Sequence, residues 1–263
     1  MEKKQRVICL GDIHGHFDQL QDVMDQLHKH HNLDLSTDVL VTLGDLVDGG
    51  KDVKSVLDWA MNLKKLYPDN FIPLIGNHET LLLDAFNPKH PVYGDFYLWK
   101  KQGGKQTLDS FIPKDQEFSD YDIAIMQPED LITKPYLDFI KSMKPYYETE
   151  EHFMVHAGVL PDMTLEETKR VVDKIAPEDM EDQDMLYQMV WIRDQFIDSD
   201  YDWGKKIIFG HTAQPSGHTL EMDNKICIDT IAMVSRDPAE FAGSLTAIIL
   251  PEEIIVQSKR MED

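Results

Sequence analysis

Five apolar runs in this chain stop at the same kind of junction. RVICL leads into GDIHG at residues 11–15, DVLVTL into GDLVDGG at 44–50 and FIPLI into GNHE at 76–79. HFMV leads into HAG at 156–158 and KIIF into GHT at 210–212. Each junction combines a glycine with Asp, Asn or His. Carboxylates are rarely buried unless paired or bound to a metal. A buried strand that ends in Asp45 and meets Asp48 three residues on needs a use for both. In an open α/β sheet, ligands gather beyond the carboxyl ends of the strands, so the five loops are expected to converge. The convergence point would hold Asp12, His14, Asp45, Asn77, His156 and His211. Hard oxygen donors mixed with imidazoles suit manganese, iron or zinc better than magnesium or calcium. Two such ions, about 3.5–4 Å apart, need a bridging carboxylate and clamp both ends of an in-line phosphoryl displacement.

The segments between the runs supply helices. FDQLQDVMDQLHK places Phe17, Leu20, Val23, Met24 and Leu27 at helical spacing. VKSVLDWAMNLKKLY places Val53, Val56, Leu57, Ala60, Leu63 and Leu66 on one expected face, and HETLLLDAF also reads as helix. The first third is thus strand–helix three times over, an α/β unit with parallel strands and right-handed crossovers. Pro73 marks its third strand as irregular or at an edge. Residues 87–150 read as a helix-rich insert, with PYLDFIKSM its clearest helix, and the acidic run at 177–188 as a solvated helix start. After GHT the pattern turns to strands, in HTLEMD, KICIDTIAM, SLTAIIL and EIIVQS, with a turn at 222–225. A length of 263 residues with 42% hydrophobic content fits a single domain over 1–263.

The formal net charge of -22 argues against a nucleic-acid backbone or an anionic membrane as partner. Cys9 and Cys227 sit in apolar stretches and read as small buried hydrophobes. The N-terminal apolar run is too short for a signal peptide and no segment approaches a membrane span, so a cytoplasmic location is expected. HKHH at 28–31 reads as the cation-rich end of a helix, where the dipole favours such residues, and His16 as a helix-start residue.

Taken together, GDIHG, GDLVDGG, GNHE, HAG and GHT resemble the signature blocks of the phosphoprotein phosphatase family of metallophosphoesterases. WKKQGGKQTL, VWIRD, FGHTAQP and CIDT resemble further blocks of its compact bacterial and bacteriophage lambda-type serine/threonine phosphatases. The blocks span residues 11 to about 230. The resemblance implies a four-layer α/β/β/α sandwich of two mixed sheets, the calcineurin-like fold. It implies that Asp12 and His14 hold a first metal, that Asp45 bridges, and that Asn77, His156 and His211 hold a second. Two cations lower the pKa of a shared water, which attacks phosphorus in line. His78 would then be the general acid, with Asp48 holding its imidazole in the protonated form.

The chain departs from this pattern at Gly49, where the family continues V-D-R-G with a phosphate-gripping arginine. A bidentate arginine–phosphate contact has no simple substitute. Arg193 is the expected substrate clamp, and Lys51, Lys100, Lys101 and Lys105 are alternative cations. A second departure is IDTIA at 228–232, where relatives commonly have glycine after the threonine. The expected activity is a manganese-dependent serine/threonine protein phosphatase acting on a phosphorylated protein or small phosphate ester. Two alternatives stand beside it. One is a nucleotide or dinucleoside polyphosphate hydrolase, with Phe96, Tyr97 and Trp99 either stacking a base or filling the core. The other is a weakly active phosphate-reading module.

Overall fold

Among the described residues, side-chain alternation along ten short strands divides the protein into layers. The structure, a computed structural model, describes residues 5–86, 93–112, 131–180, 184–214, 216–230 and 243–259. The first half runs β1 (Val7–Leu10), α1 (Phe17–His31), β2 (Val39–Thr42), α2 (Val53–Leu66), β3 (Phe71–Pro73) and α3 (Asn77–Ala85). Next come α4 (Tyr93–Trp99), a kinked π-type turn (Lys100–Gly104), α5 (Lys105–Phe111) and α6 (Lys134–Lys141). The second half runs β4 (Tyr146–Glu148), β5 (His152–Val155), α7 (Leu165–Val172), α8 (Met185–Trp191), α9 (Asp194–Ile197) and β6 (Lys206–Phe209). It closes with β7 (Leu220–Glu221), β8 (Lys225–Cys227), β9 (Thr246–Leu250) and β10 (Ile254–Gln257).

The strands form two five-stranded sheets, ordered β10-β9-β1-β2-β3 and β4-β5-β6-β8-β7. Both are mixed. β1, β2 and β3 are parallel while β9 and β10 are antiparallel. β5, β6 and β8 are parallel while β4 and β7 are antiparallel. Val7, Cys9, Val39, Val41, Ile248 and Leu250 of the first sheet pack against Met154, Ile208 and Ile226 of the second. Their neighbours Ile8, Leu10 and Leu40 join Leu20, Val23, Val56 and Leu57 of α1 and α2 in the helix-facing core. With both faces covered, the strands need continuous apolar runs rather than alternation with polar residues. The expected four-layer sandwich of two mixed sheets is therefore the observed fold.

Several local expectations change. Leu66 is 58% exposed; at 100° per residue it lies roughly 120° from the centre of the apolar stripe. Residues 87–150 include β4, a three-residue strand too short for any alternation to reveal; residues 87–92 and 113–130 lie outside the described ones. The acidic run splits into a 3-10 turn (Pro177–Asp179) and α8, whose Leu186, Met189 and Val190 are buried. The KICIDTIAM strand ends at Cys227, and Ala232 lies outside the described residues. The final strands also divide: β7 and β8 stay in the second sheet, whereas β9 and β10 return to the first. Pro73 does close an edge strand, and Met222 N–H donates to Lys225 O in the expected turn (2.9 Å). Cys9 and Cys227 are buried, and burial pushes both thiols up. Among the described residues, no helix is long and apolar enough to cross a membrane.

Candidate metal centre

The carboxyl ends of β1, β2, β5 and β6, with the start of α3, bring Asp12, His14, Asp45, Asn77, His156 and His211 together. All six are buried. The backbone makes this possible at a cost: His14 (φ 45°), Asp45 (φ 51°), Asp48 (φ 67°) and His211 (φ 63°) are all left-handed. Such conformations are unfavourable for non-glycine residues and cluster where surrounding structure over-determines them. The neighbouring glycines serve close approach. A Cβ on Gly210 would lie 2.0 Å from Asp12 Oδ1, and one on Gly76 would lie 2.2 Å from Asp45 Oδ1. Gly210→Ala should therefore displace the Asp12 carboxylate. A misplacement of about 1 Å can cost roughly 100-fold in rate, and a fall of that order with reduced metal content, measured by elemental analysis, is the expected outcome.

The hydrogen bonds determine which atoms face inward. His14 Nδ1 lies 3.0 Å from Val47 O and His156 Nδ1 lies 2.7 Å from Leu43 O. A carbonyl only accepts, so each Nδ1 carries the proton and each Nε2 is bare in the neutral ring. Both bare Nε2 atoms lie 3.5 Å from Asp45 Oδ2. Asn77 Oδ1 lies 2.9 Å from His156 Nε2 and 2.9 Å from His211 Nδ1. Asp12 Oδ2 accepts the His211 backbone N–H (3.0 Å), while its buried Oδ1 has no hydrogen-bond partner. The bare His14 and His156 Nε2 lone pairs thus face the Asp45 carboxylate in a buried space. Protonation of the imidazoles does not relieve this. Burial pushes His14 down to about 3, His211 down to about 2, and His156 down as well. Asp12 is pushed up, by burial and by the charges of Asp229 and Asp45. Asp45 is held low against a burial penalty that would raise it; of the surrounding imidazoles, His78 is the one whose own pKa is raised and which carries charge beside it. The donor atoms fall into two groups that share Asp45, one with His14 and His78 and one with His156 and His211. Converging, mutually repelling donors with a shared carboxylate fit a pair of divalent cations.

His78 and Asp48 sit against this cluster. His78 Nδ1 lies 2.8 Å from Asp48 Oδ2, and its ring meets His14 edge-on at 4.8 Å. Burial alone would lower the His78 pKa, but Asp45 and Asp48 outweigh it and raise it to about 9. The Asp48 carboxylate, 0% exposed, also accepts from Trp99 Nε1 (3.0 and 3.1 Å) and Thr107 Oγ1 (2.6 Å). Phe96 and Trp99 are core residues, and Tyr97 is exposed with Lys101 Nζ 4.5 Å above its ring.

Sequence reading missed Glu79. Its buried carboxylate accepts from the backbone N–H groups of Asp45, Leu46, Val47 and Gly76 at 2.8, 2.8, 3.2 and 2.9 Å. It ties the Asp45 turn to the start of α3. Burial and the Asp45 charge raise it to about 7 against the Asp45, Gly76 and Leu46 donors. Gly76 rather than Asn77 caps α3, which leaves the Asn77 amide free to face the histidines. His16 is half-buried, and the 28–31 run ends α1. Gly49 adopts φ 82° and donates to Gly103 O (3.3 Å). Of the alternative cations, Lys51 is exposed, Lys100 half-buried, and Lys105 pairs with Asp109 (2.5 Å). Arg193 is exposed, and its charge contributes to lowering His156 and His211.

Known proteins share this fold and family. The chain is 28% identical to serine/threonine-protein phosphatase 2 of Salmonella typhimurium over 245 residues, covering 90% of this chain and 92% of that protein. It is 30% identical to a symmetrical bis(5'-nucleosyl)-tetraphosphatase of Acidovorax sp. over 160 residues, covering 61% of this chain and 46% of that one. Among solved structures, a serine/threonine phosphatase from Saccharomyces cerevisiae superposes with a TM-score of 0.62 at 16% identity, covering 100% of this chain and 82% of that one. A cold-active protein-tyrosine phosphatase of Shewanella sp. superposes at 0.55 with 19% identity, covering 97% and 80%. Residues 5–227 match the calcineurin-like phosphoesterase family. A family whose chemistry uses two divalent metals accounts for buried donors that repel one another, and this chain belongs to it, as a metal-dependent phosphatase of the calcineurin-like phosphoesterase family.

Proposed function

We propose that the chain is a serine/threonine protein phosphatase that works with two divalent cations, manganese being favoured by the mixed oxygen and imidazole donors. The observation that carries the substrate class is the match to a serine/threonine phosphatase over nearly the whole length of both chains. In this reading Asp12, His14 and Asp45 hold one cation, and Asp45, Asn77, His156 and His211 hold the other. Bound there, the cations supply the charge that activates water and neutralises the phosphoryl oxygens. His78 does the protein's own proton work. Its Nδ1 is committed to Asp48, so Nε2 is the atom that gives a proton to the departing alkoxide. Asp48 fixes the ring and keeps the proton on it. Arg193, on the His156 and His211 side, grips the phosphate.

A dinucleoside polyphosphate substrate is the second reading, favoured by the partial match to the tetraphosphatase. Against it, Phe96 and Trp99 are buried and offer no base-stacking surface. Phosphate release by metal-stripped protein, with and without manganese, separates the two. Manganese-dependent release from phosphoserine and phosphothreonine peptides is the expected result. Release from diadenosine tetraphosphate alone would replace the first reading with the second.

A further inference from the structure

We infer that Trp99 and Thr107 are positioning residues for proton delivery, and that the 99–107 segment assembles the His78–Asp48 pair. The inference rests on the reading of His78 as general acid. Both residues reach back more than fifty positions along the chain to one carboxylate. Trp99 Nε1 straddles the two Asp48 oxygens at 3.0 and 3.1 Å. Thr107 makes a reciprocal pair with the same residue: its hydroxyl donates to Asp48 Oδ1 (2.6 Å) and accepts the Asp48 backbone N–H (3.0 Å). A hydroxyl can do both, whereas no apolar side chain can do either. Asp48 has φ 67°, so its backbone needs an external hold. Without these donors the buried carboxylate keeps, among the described residues, only His78 as a partner, and is free to rotate about its Cα–Cβ bond.

The segment itself is built to be rigid. Trp99 is 0% exposed and meets Phe86 and Phe96 edge-on at 5.4 and 6.0 Å. A Cβ on Gly104 would lie 2.4 Å from the Trp99 ring, so the turn closes directly on the indole. Gly103, at φ 100°, accepts the Gly49 N–H. The turn therefore grips both Asp48 and its successor, and the Trp99 and Thr107 donors arrive together. Hydrogen bonds that hold one catalytic group through another act on the rate of the step that group serves.

The test is leaving-group dependence, which a purely structural role would not produce. A phosphoserine peptide leaves as an alkoxide and needs the proton, whereas p-nitrophenyl phosphate leaves as a stable phenolate and needs it little. Thr107→Val and Trp99→Phe should each lower kcat on the peptide about 10- to 100-fold, the range for losing a hydrogen bond to a charged group. The same variants should change kcat on p-nitrophenyl phosphate only a few-fold, with KM and manganese content unchanged. Thr107→Ser, which keeps the hydroxyl, should restore the peptide rate. Equal losses on both substrates, or no loss on the peptide, would overturn the inference. Two substitutions at separate sites guard against one that fails to fold, with thermal melts run in parallel. His78→Asn in the same series separates the two levels. If it shows no leaving-group dependence, the reading of His78 fails. If it does and Thr107→Val does not, only the positioning role fails.

Discussion

Asp45→Asn should abolish metal binding and phosphatase activity while making the metal-free protein more stable. Asp45 Oδ2 faces two imidazole nitrogens at 3.5 Å whose partner nitrogens are already committed to Leu43 O and Val47 O. In the metal-free state these are acceptors facing a carboxylate. An asparagine amide placed there donates where the carboxylate repels, and its retained oxygen can still accept the His78 backbone N–H (3.0 Å). Relief of one unsatisfied buried group is worth about 1–3 kcal/mol, and 1 kcal/mol moves Tm by about 2–4 °C in a chain of this size. Calorimetry should then show a higher Tm for the metal-free variant. Added manganese should no longer raise it, because ligand-linked stabilisation requires binding. A lower Tm in the metal-free variant would mean that Asp45 is a structural ion-pair partner and that the repulsion argument is wrong.

His78→Asn should lower kcat on a phosphoserine peptide by about 10²–10⁴-fold, the usual contribution of general acid catalysis. The His78 ring touches Asp48 through Nδ1, and the nearby Asp45 and Asp48 charges keep its proton in place. Manganese content should stay near two per chain, since the residues assigned to hold the cations, Asp12, His14 and Asp45 for one and Asp45, Asn77, His156 and His211 for the other, are untouched. The two substitutions are thus expected to part cleanly, one losing metal and the other losing proton transfer with metal retained. Elemental analysis alongside steady-state kinetics checks both. A His78→Asn protein that kept its full peptide rate would remove His78 from the chemistry and leave the family assignment standing.

The sequence alone marked out the strand-end junctions, because chemistry and backbone demand coincide there in a few adjacent residues. Gly76 and Gly210 each precede a ligand directly in the chain, Asn77 and His211, so the pattern is local and readable, although the carboxylates they make room for, Asp45 and Asp12, come from other loops. The covered strands were legible for a similar reason, since burial on both faces leaves a run of adjacent apolar residues in β1 (VICL), β2 (VLV) and β6 (IIF). What holds the ligands in place was not local. The four N–H donors to Glu79 span a gap of up to 34 residues, and the Trp99 and Thr107 grip on Asp48 spans 51 and 59. Hydrogen bonds at such separations leave no periodicity in the chain, so a buried glutamate reads only as a helix-start acid. The return of β9 and β10 to the first sheet is of the same kind. Their apolar runs would suit either sheet, and only the packing of β9 beside β1 decides between them. Tertiary structure likewise determined that Phe96 and Trp99 turn inward, because an aromatic-rich stretch has the same composition whether it fills a core or stacks a ligand.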